Sequence, residues 1–534
     1  MTTTVPVLIA GGGPVGLMAA LDLHSRGIRV LLVERNPGTT RHPKMDVTNG
    51  RSLEHFRRLG VAERIRNVAV PRHHPMDVSW VTRLSEWELA RFRYSDVNRA
   101  RELIRTRNDG TQPLEPNMRL SQIVLEPELV RMLRECPGVE LRFGWTLTQF
   151  TQNDQGVTAT IVETLTGREE KIHCALLAGC DGAGSAVRET LGIPSRGAYE
   201  VVRLFMVHFR STHRELLQKF GIAWHYQSPI GGTLIAQDDA EIWTLHAPID
   251  PAEANTDPVE LVHRCLGAQF PLEVLQANAF SLHLVVADKY GLGRAWMAGD
   301  AVHQFIPTGG YGMNTGICDA VDLSWKFAAV LQGWGGPKLL DSIGTERRPI
   351  ALQNRDMSER HMNVRIKIGE LYDPLIHDST DAGAQARWRL RQVIDELGNL
   401  ENEALGIEIG YRYRDSPIVC HEASEPRWDA REYIPSTWPG VRAPHVFLED
   451  GSAIFDQFGP GFTLLRFRAV DTAPLEEAAR ARAVPLRTVD VRDSRAASLY
   501  EHNLVLIRPD QHVAWRGERA PSDSMAIIDQ VRGA

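Results

Sequence analysis

The chain has 534 residues, 24% of them charged, with a formal net charge of −7 and a pI near 6.3. Its Lys and Arg are dispersed, which excludes a nucleic-acid footprint, and no apolar run reaches membrane-spanning length. The length predicts roughly two to four domains with ample core.

The six cysteines (Cys136, Cys174, Cys180, Cys265, Cys318, Cys420) have no CxxC and no paired spacing. They read as free thiols in a reducing cytosol, not as a disulfide or zinc framework, so no metal site is expected. The start, MTTTVPVLIAGGG, lacks a basic n-region and runs straight into glycines. It predicts a strand rather than a signal peptide, and a cytoplasmic protein.

VPVLIA predicts a buried parallel strand. Gly11-x-Gly13-x-x-Gly16 follows, then a helix from Pro14 to Arg26 ended by Gly27, then the strand IRVLLVE ending in Glu34. This is a complete βαβ unit with its acid about 20 residues beyond the glycines. The glycines let the backbone approach a pyrophosphate, and Glu34 can accept from ribose hydroxyls. Further on, LLAGCDGAGSAVRETLGIP places Asp181-Gly182 at a strand end and Arg188 on the next helix. Alone, that is an ordinary glycine turn.

Between about 190 and 285, RLFMVHFR, GTLIAQ and EIWTLHAP alternate as antiparallel strands do. Trp224, His225, Tyr226, Trp243 and His246 are candidates for an aromatic pocket there, although aromatics on sheets are mostly core. Then comes WMAGDAVHQFIPTGGYGMNTG. An apolar strand ends in Gly299-Asp300, a loop carries Pro307, Gly309, Gly310 and Gly312, and a helix starts near Asn314. An Asp at a strand end can bind a polyol, and free N–H groups at a helix start attract an anion. Together they describe a flavin. Residues 337–420 show helical periodicity. A linker with Pro435, Pro439, Gly440 and Pro444 follows, and the last hundred residues form a small α/β unit.

These three glycine–acid motifs, in this order, resemble the p-hydroxybenzoate hydroxylase-like (class A) FAD-dependent aromatic monooxygenases. The C-terminal unit resembles the thioredoxin-like domain of the phenol and polyketide hydroxylase branch. The resemblance implies an α/β chain with an α+β middle domain. Residues 1–185 and 285–370 form the Rossmann-like FAD-binding domain and 186–284 an antiparallel-sheet substrate domain. A helical layer and linker occupies 371–435, and 436–534 is a thioredoxin-like domain without CxxC. It further implies FAD held by Gly11, Gly13, Pro14, Val15, Gly16, Glu34, Arg35, Asp181, Gly299 and Asp300, with Gly312, Met313 and Asn314 at the flavin ring. Gln122 of MRLSQIVLE fits the family glutamine on the ribityl side. Lys44 stands where many relatives carry Arg, so the cation is kept without a bidentate phosphate grip. Pro307 and His303 fall in the loop reaching the flavin and enter as catalytic candidates. The electron donor is NADH or NADPH, bound transiently.

The implied activity is hydroxylation of a phenolic aromatic compound through a flavin C4a-hydroperoxide. A phenol attacks well only when partly deprotonated, so a base beside its hydroxyl is expected. Asp46, five positions before Arg51 in MDVTNGRSLE, matches the aspartate spacing of the phenol hydroxylase branch and is the candidate base. The expected partners are a small aromatic substrate, dioxygen and the nicotinamide, with no nucleic acid or membrane and with a homodimer left open. The alternatives are a polyketide-tailoring or Baeyer–Villiger enzyme on a polycyclic substrate, and a non-catalytic flavin binder. A flavin-dependent halogenase is excluded by the lack of a WxWxIP stretch.

Overall fold

In the computed structural model, which describes residues 3–230, 232–249 and 256–534, the opening apolar run becomes strand Thr3–Ala10, buried from Val7 onward. It pairs in parallel with Val30–Glu34 on one side and Glu169–Gly179 on the other. Across the sheet the order is Gly291–Leu292, Ala295–Met297, Glu169–Gly179, Thr3–Ala10, Val30–Glu34, Val139–Phe143. The central strands are buried and apolar where they approach the site, at Val7–Ala10, Val30–Val33 and Leu176–Gly179, as parallel strands inside an α/β sheet are. The register sets the site: Ala10 lies beside Val33 and Gly179, and Gly179 beside Met297. The first glycine motif, Glu34, Asp181 and Asp300 therefore leave the sheet at one edge, the carboxyl ends of its strands, where ligands bind in open α/β sheets.

The second sheet has eight strands, in the order His303–Gln304, Glu273–Ala287, Ser195–Arg210, Ile242–Pro248, Gly232–Ala236, His225–Ser228, Val78–Val81, Glu88–Phe92. The alternating segments predicted between 190 and 285 form its centre. The sheet also reaches outside that stretch, with two strands from the first 185 residues and one, His303–Gln304, from the loop after Asp300. Val286 pairs with His303 and Val285 with Gln304, so the flavin-type loop is hydrogen-bonded to the edge of this sheet.

Helix Tyr311–Leu331 packs along helix Pro14–Ser25. Their approach is too close for side chains: a Cβ on Gly316 would lie 2.6 Å from Val15 Cγ2 and 3.0 Å from Gly299 Cα. Helices Ser342–Glu370 and Asp381–Leu397 supply the predicted helical layer.

The C-terminal sheet runs Leu486–Asp490, Phe462–Arg466, Leu504–Ile507, Val513–Gly517. Its first pair is parallel, joined through helix Ala473–Ala481, the others are antiparallel, and helix Ser524–Val531 closes the unit. This is the thioredoxin-like arrangement, and it contains no cysteine. It is docked by Phe462 against Trp325 and Trp334 and by a buried charge network. Arg508 donates to Glu346 (2.5 Å) and Asp510 (2.7 Å), while Lys326 bonds both Asp322 (2.8 Å) and Glu346 (2.6 Å). Burial opposes the charge on Glu346, but Arg508 and Lys326 outweigh it and hold the carboxyl down to about 2. Removing one member of such a cluster leaves uncompensated buried charge. Arg508→Ala is therefore expected to destabilise the FAD-loaded protein by about 3–5 kcal/mol, measured by denaturant unfolding. An unchanged midpoint would show that the network does not hold the domain.

Candidate functional site

At the carboxyl edge of the first sheet lies an elongated cavity of about 660 Å³. The three glycines of the opening motif have different tasks along its wall. Gly11 has φ +107°, and a Cβ there would lie 2.1 Å from the Cys180 carbonyl oxygen. A Cβ on Gly16 would lie 2.0 Å from the Gly11 oxygen, whereas at Gly13 nothing stands within 4 Å. The outer two permit close packing, and the middle one leaves space for a ligand. Helix Pro14–Ser25 has no side-chain cap at Gly13, so its first N–H groups and the positive end of its dipole are free for an anion. Val15 points inward and wedges between Gly299 and Gly316.

Glu34 is oriented before any ligand arrives. Its Oε2 accepts from Gly12 N (2.7 Å), and its Oε1 from the backbone and side-chain nitrogens of Asn36 (2.9 and 2.6 Å). Arg35 and Lys44 line the same cavity and are exposed on it. Neither has an ion pair among the described residues. Lys44 lies near enough to Asp300, Glu126 and His42 to bias their titration. Gln122 starts helix Gln122–Arg134 and is steadied by Glu126 (2.7 Å).

Asp181 and Asp300 face the cavity from the two remaining strand ends. Asp181 Oδ2 accepts from Val187 N (3.2 Å), but Oδ1 is buried with no partner among the described residues. Burial pushes this carboxyl up. Asp300 has an exposed side chain because it opens on the cavity, yet the surrounding protein also pushes its carboxyl up. Asp181 Oδ1 and the Asp300 carboxyl, with no donor among the described residues, are what a ligand rich in hydroxyls would satisfy. At the far end Pro307, Gly310, Gly312 and Met313 form the wall, and helix Tyr311–Leu331 begins there from Gly310 (φ +65°), again without a side-chain cap. A dinucleotide with a ribityl chain and an acidic ring fits this set: hydroxyl acceptors at Glu34, Asp181 and Asp300, amides and cations for the pyrophosphate, and a helix start for the ring.

On the wall formed by the second sheet, Asp46 lies between the cofactor cavity and Trp224. Its Oδ2 accepts from the Trp224 indole (2.7 Å) and meets His225 Nε2 (3.0 Å). Oδ1 takes no hydrogen bond among the described residues. Burial opposes the charge on Asp46, but His225 and Trp224 outweigh it, so the carboxyl is held below its usual range. His246 lines the cavity nearby, and burial pushes it down to about 4, which keeps it neutral.

Comparison with known proteins agrees with this geometry. The FAD-binding-domain family matches residues 4–358, and the family of aromatic-ring hydroxylase C-terminal domains matches 436–533. An FAD-dependent monooxygenase of Emericella nidulans is 38% identical across 99% of this chain and 90% of its own. The chain belongs to the FAD-dependent aromatic-ring hydroxylases. Among solved structures, the rebeccamycin biosynthetic enzyme RebC with reduced flavin superposes over 100% of both chains, with a TM-score of 0.91 and 36% identity. The flavin-dependent monooxygenase PieE, in complex with FAD and substrate, covers 99% of both chains at a TM-score of 0.88 and 30% identity. FAD is thus the cofactor of this hydroxylase.

Most of the residues singled out in the sequence line the cavity; Gly16, Gly299, Trp224 and His225 sit just behind lining residues, and His303, Asn314, Tyr226 and Trp243 are engaged elsewhere. His303 is fully buried: it bonds Asp319 through Nε2 (2.9 Å) and stacks on Phe305, so it braces the loop and has no access to a substrate. The Asn314 side chain is fully engaged with Asn49 N, Ser52 Oγ, the Val47 carbonyl and the Gly310 carbonyl, so it braces the start of the helix and only the backbone there is left to face a cofactor. Tyr226 donates to the Gly221 carbonyl (2.6 Å) and Trp243 to the Ser211 carbonyl (3.1 Å), both within the core under the second sheet. Among the unforeseen residues are Asp319 and Arg347, which fix the Gly299 turn (Arg347 Nε to Asp319 Oδ1, 2.7 Å). A charge-assisted bond to a ribose hydroxyl is worth enough that Glu34→Gln should weaken FAD binding about tenfold. Flavin fluorescence titration of the apoprotein reads this directly, and an unchanged affinity would remove Glu34 from the site.

Proposed function

We propose that this hydroxylase oxygenates a phenolic aromatic substrate, with NADH or NADPH as electron donor and dioxygen as oxidant, and that Asp46 polarises the substrate hydroxyl. FAD, when bound, would supply the two-electron redox and oxygen-activation chemistry. The chain's own residues do the rest. Gly13, the start of helix Pro14–Ser25, Arg35 and Lys44 would hold the pyrophosphate. Asp300 and Gln122 would hold the ribityl chain, and Gly312 and Met313 the ring edge. Ile306, Pro307, Met313, Met206 and Phe280 contribute apolar surface to the cavity, which with substrate bound would help keep water from the reacting atoms.

The observation that carries the reading is the Asp46–Trp224–His225 constellation. Two donors converge on Oδ2 and lock the carboxylate. Oδ1 is left as the acceptor for a substrate hydroxyl, which gains phenolate character as it donates. A carboxylate held below its usual pKa takes the proton only in part, so Asp46 polarises the substrate hydroxyl rather than removing its proton outright, and Trp224 and His225 fix the orientation in which it does so.

A second reading, a polycyclic tailoring substrate, is favoured by a second chamber beyond Val47, next to Trp224 and the flavin loop. Both readings use the same proton chemistry.

Asp46→Asn should keep FAD and its absorption but lower the rate of product formation by about 10²–10⁴-fold, with nicotinamide oxidation diverted to peroxide. Because Asp46 is held below the usual carboxylate range, it stays ionised down to mildly acidic pH, and the wild-type profile should show no limb due to it near neutrality. Normal coupled turnover by the variant in a phenol screen would exclude the role.

A further inference from the structure

The second chamber has a volume of about 270 Å³ and shares Val47 with the cofactor cavity. Trp224, which bonds Asp46, forms part of its wall, as do Gly309 and Asn314 of the loop and helix behind the flavin ring. Met76, Leu103, Ile104 and Leu405 supply apolar surface fit for a ring system.

The charged groups of this chamber are all of one sign. Glu401 and Glu408 line it, and no Lys, Arg or His does so among the described residues. Glu401 is answered from behind by Arg365 (2.5 and 3.0 Å) and by Gln227 (3.2 Å). Glu408 has no cation among the described residues. Its oxygens meet only the Asn117 amide, at 3.3 and 3.4 Å. It opens on the chamber from the end of helix Leu405–Glu408.

We propose that Glu408 is the substrate-recognition group of this chamber: it accepts a hydrogen bond from a hydroxyl or N–H of the aromatic substrate and excludes substrates that carry a carboxylate there. The proposal rests on the hydroxylase reading above and narrows its substrate class. A ligand donor would satisfy the carboxylate and stabilise its charged form. A ligand carboxylate would meet like charge in a confined space with no counter-cation.

The neighbouring groups leave Glu408 as the one that titrates near neutrality. Burial pushes it up to about 7. Facing it, the Tyr311 hydroxyl is bound to His361, and burial drives the two in opposite directions, the phenol up and the imidazole down to about 4. Across the chamber, Glu401 is held low despite burial by Arg365, and the Tyr94 hydroxyl, raised by burial, bonds Glu403 and Asn399.

The test uses the FAD-loaded full chain and Glu408→Gln, with 2-naphthol, 2-methoxynaphthalene and 2-naphthoate as matched probes. Binding is read from the perturbation of flavin absorption across the neutral pH range. The expected wild-type order is naphthol tightest and naphthoate weakest, with the naphthol Kd rising as pH falls through about 7. In the variant, which should retain full FAD, the naphthol Kd should rise about tenfold, its pH dependence should flatten, and the gap to naphthoate should narrow. Naphthol binding no better than naphthoate, or not at all, overturns the proposal. So does a variant with unchanged Kd and pH dependence. A wild-type chain that takes up no FAD would instead defeat the hydroxylase reading itself.

Discussion

The cofactor end of the molecule depends on one buried carboxylate. Asp319, on helix Tyr311–Leu331, accepts from the backbone N–H of Gly299 (3.2 Å), from His303 (2.9 Å) and from Arg347 of helix Ser342–Glu370 (2.7 Å). These donors come from two other pieces of chain, the turn from Gly299 to His303 and helix Ser342–Glu370, and leaving them without an acceptor in the core would be costly. Burial alone would neutralise Asp319, but Arg347 and His303 overcome it and hold the carboxyl below its usual range. The turn that presents Asp300 is thereby fixed to the helix whose first turn lines the cofactor cavity. The glycines at 299 and 316 allow the contact, and Val15 closes it.

Charge is distributed differently in the two cavities, and the difference follows their ligands. Among the described residues, the cofactor cavity contains cations without an ion pair, Arg35 and Lys44, beside carboxyl oxygens without donors, Asp181 Oδ1 and those of Asp300. That is the complement of a ligand with both phosphates and hydroxyls. The second chamber has carboxyls only. Between them stands Asp46, ionised and locked by an indole and an imidazole.

How much of this was legible in the sequence depends on whether a residue acts through its own backbone or through distant partners. Gly11, Gly13 and Gly16 were legible because their spacing is a backbone requirement, and Glu34, Asp181 and Asp300 because each follows an apolar strand. Asp46 was legible as a candidate, but the Trp224 and His225 donors that fix its protonation come from 178 and 179 residues away. The strand Val78–Val81 gave no signal as part of the second sheet because it is four residues long and pairs with His225–Ser228 far along the chain. His303, Tyr226 and Trp243 show the converse. Each is an aromatic ring at the right place in sequence, but a nearby carbonyl or carboxylate captures its polar atom, and composition does not reveal which face of a strand a ring takes. Glu408 and Arg347 take their positions wholly from tertiary contacts, so no local pattern marks them.

The pairing of His303–Gln304 with Val285–Val286 makes the second sheet a fixed gauge between two walls of the site. One edge strand of that sheet leads into the loop that lines the cofactor cavity, and an interior strand begins beside Trp224 and His225, which hold Asp46. The distance from that loop to Asp46 is therefore set by strand pairing, including the bulge between Ala198 and Val202 in the long central pair. Under the role proposed for Asp46, regiochemistry becomes a property of the ladder: a change of register far from either ligand would present a different ring carbon for oxygenation without altering any residue placed at the substrate.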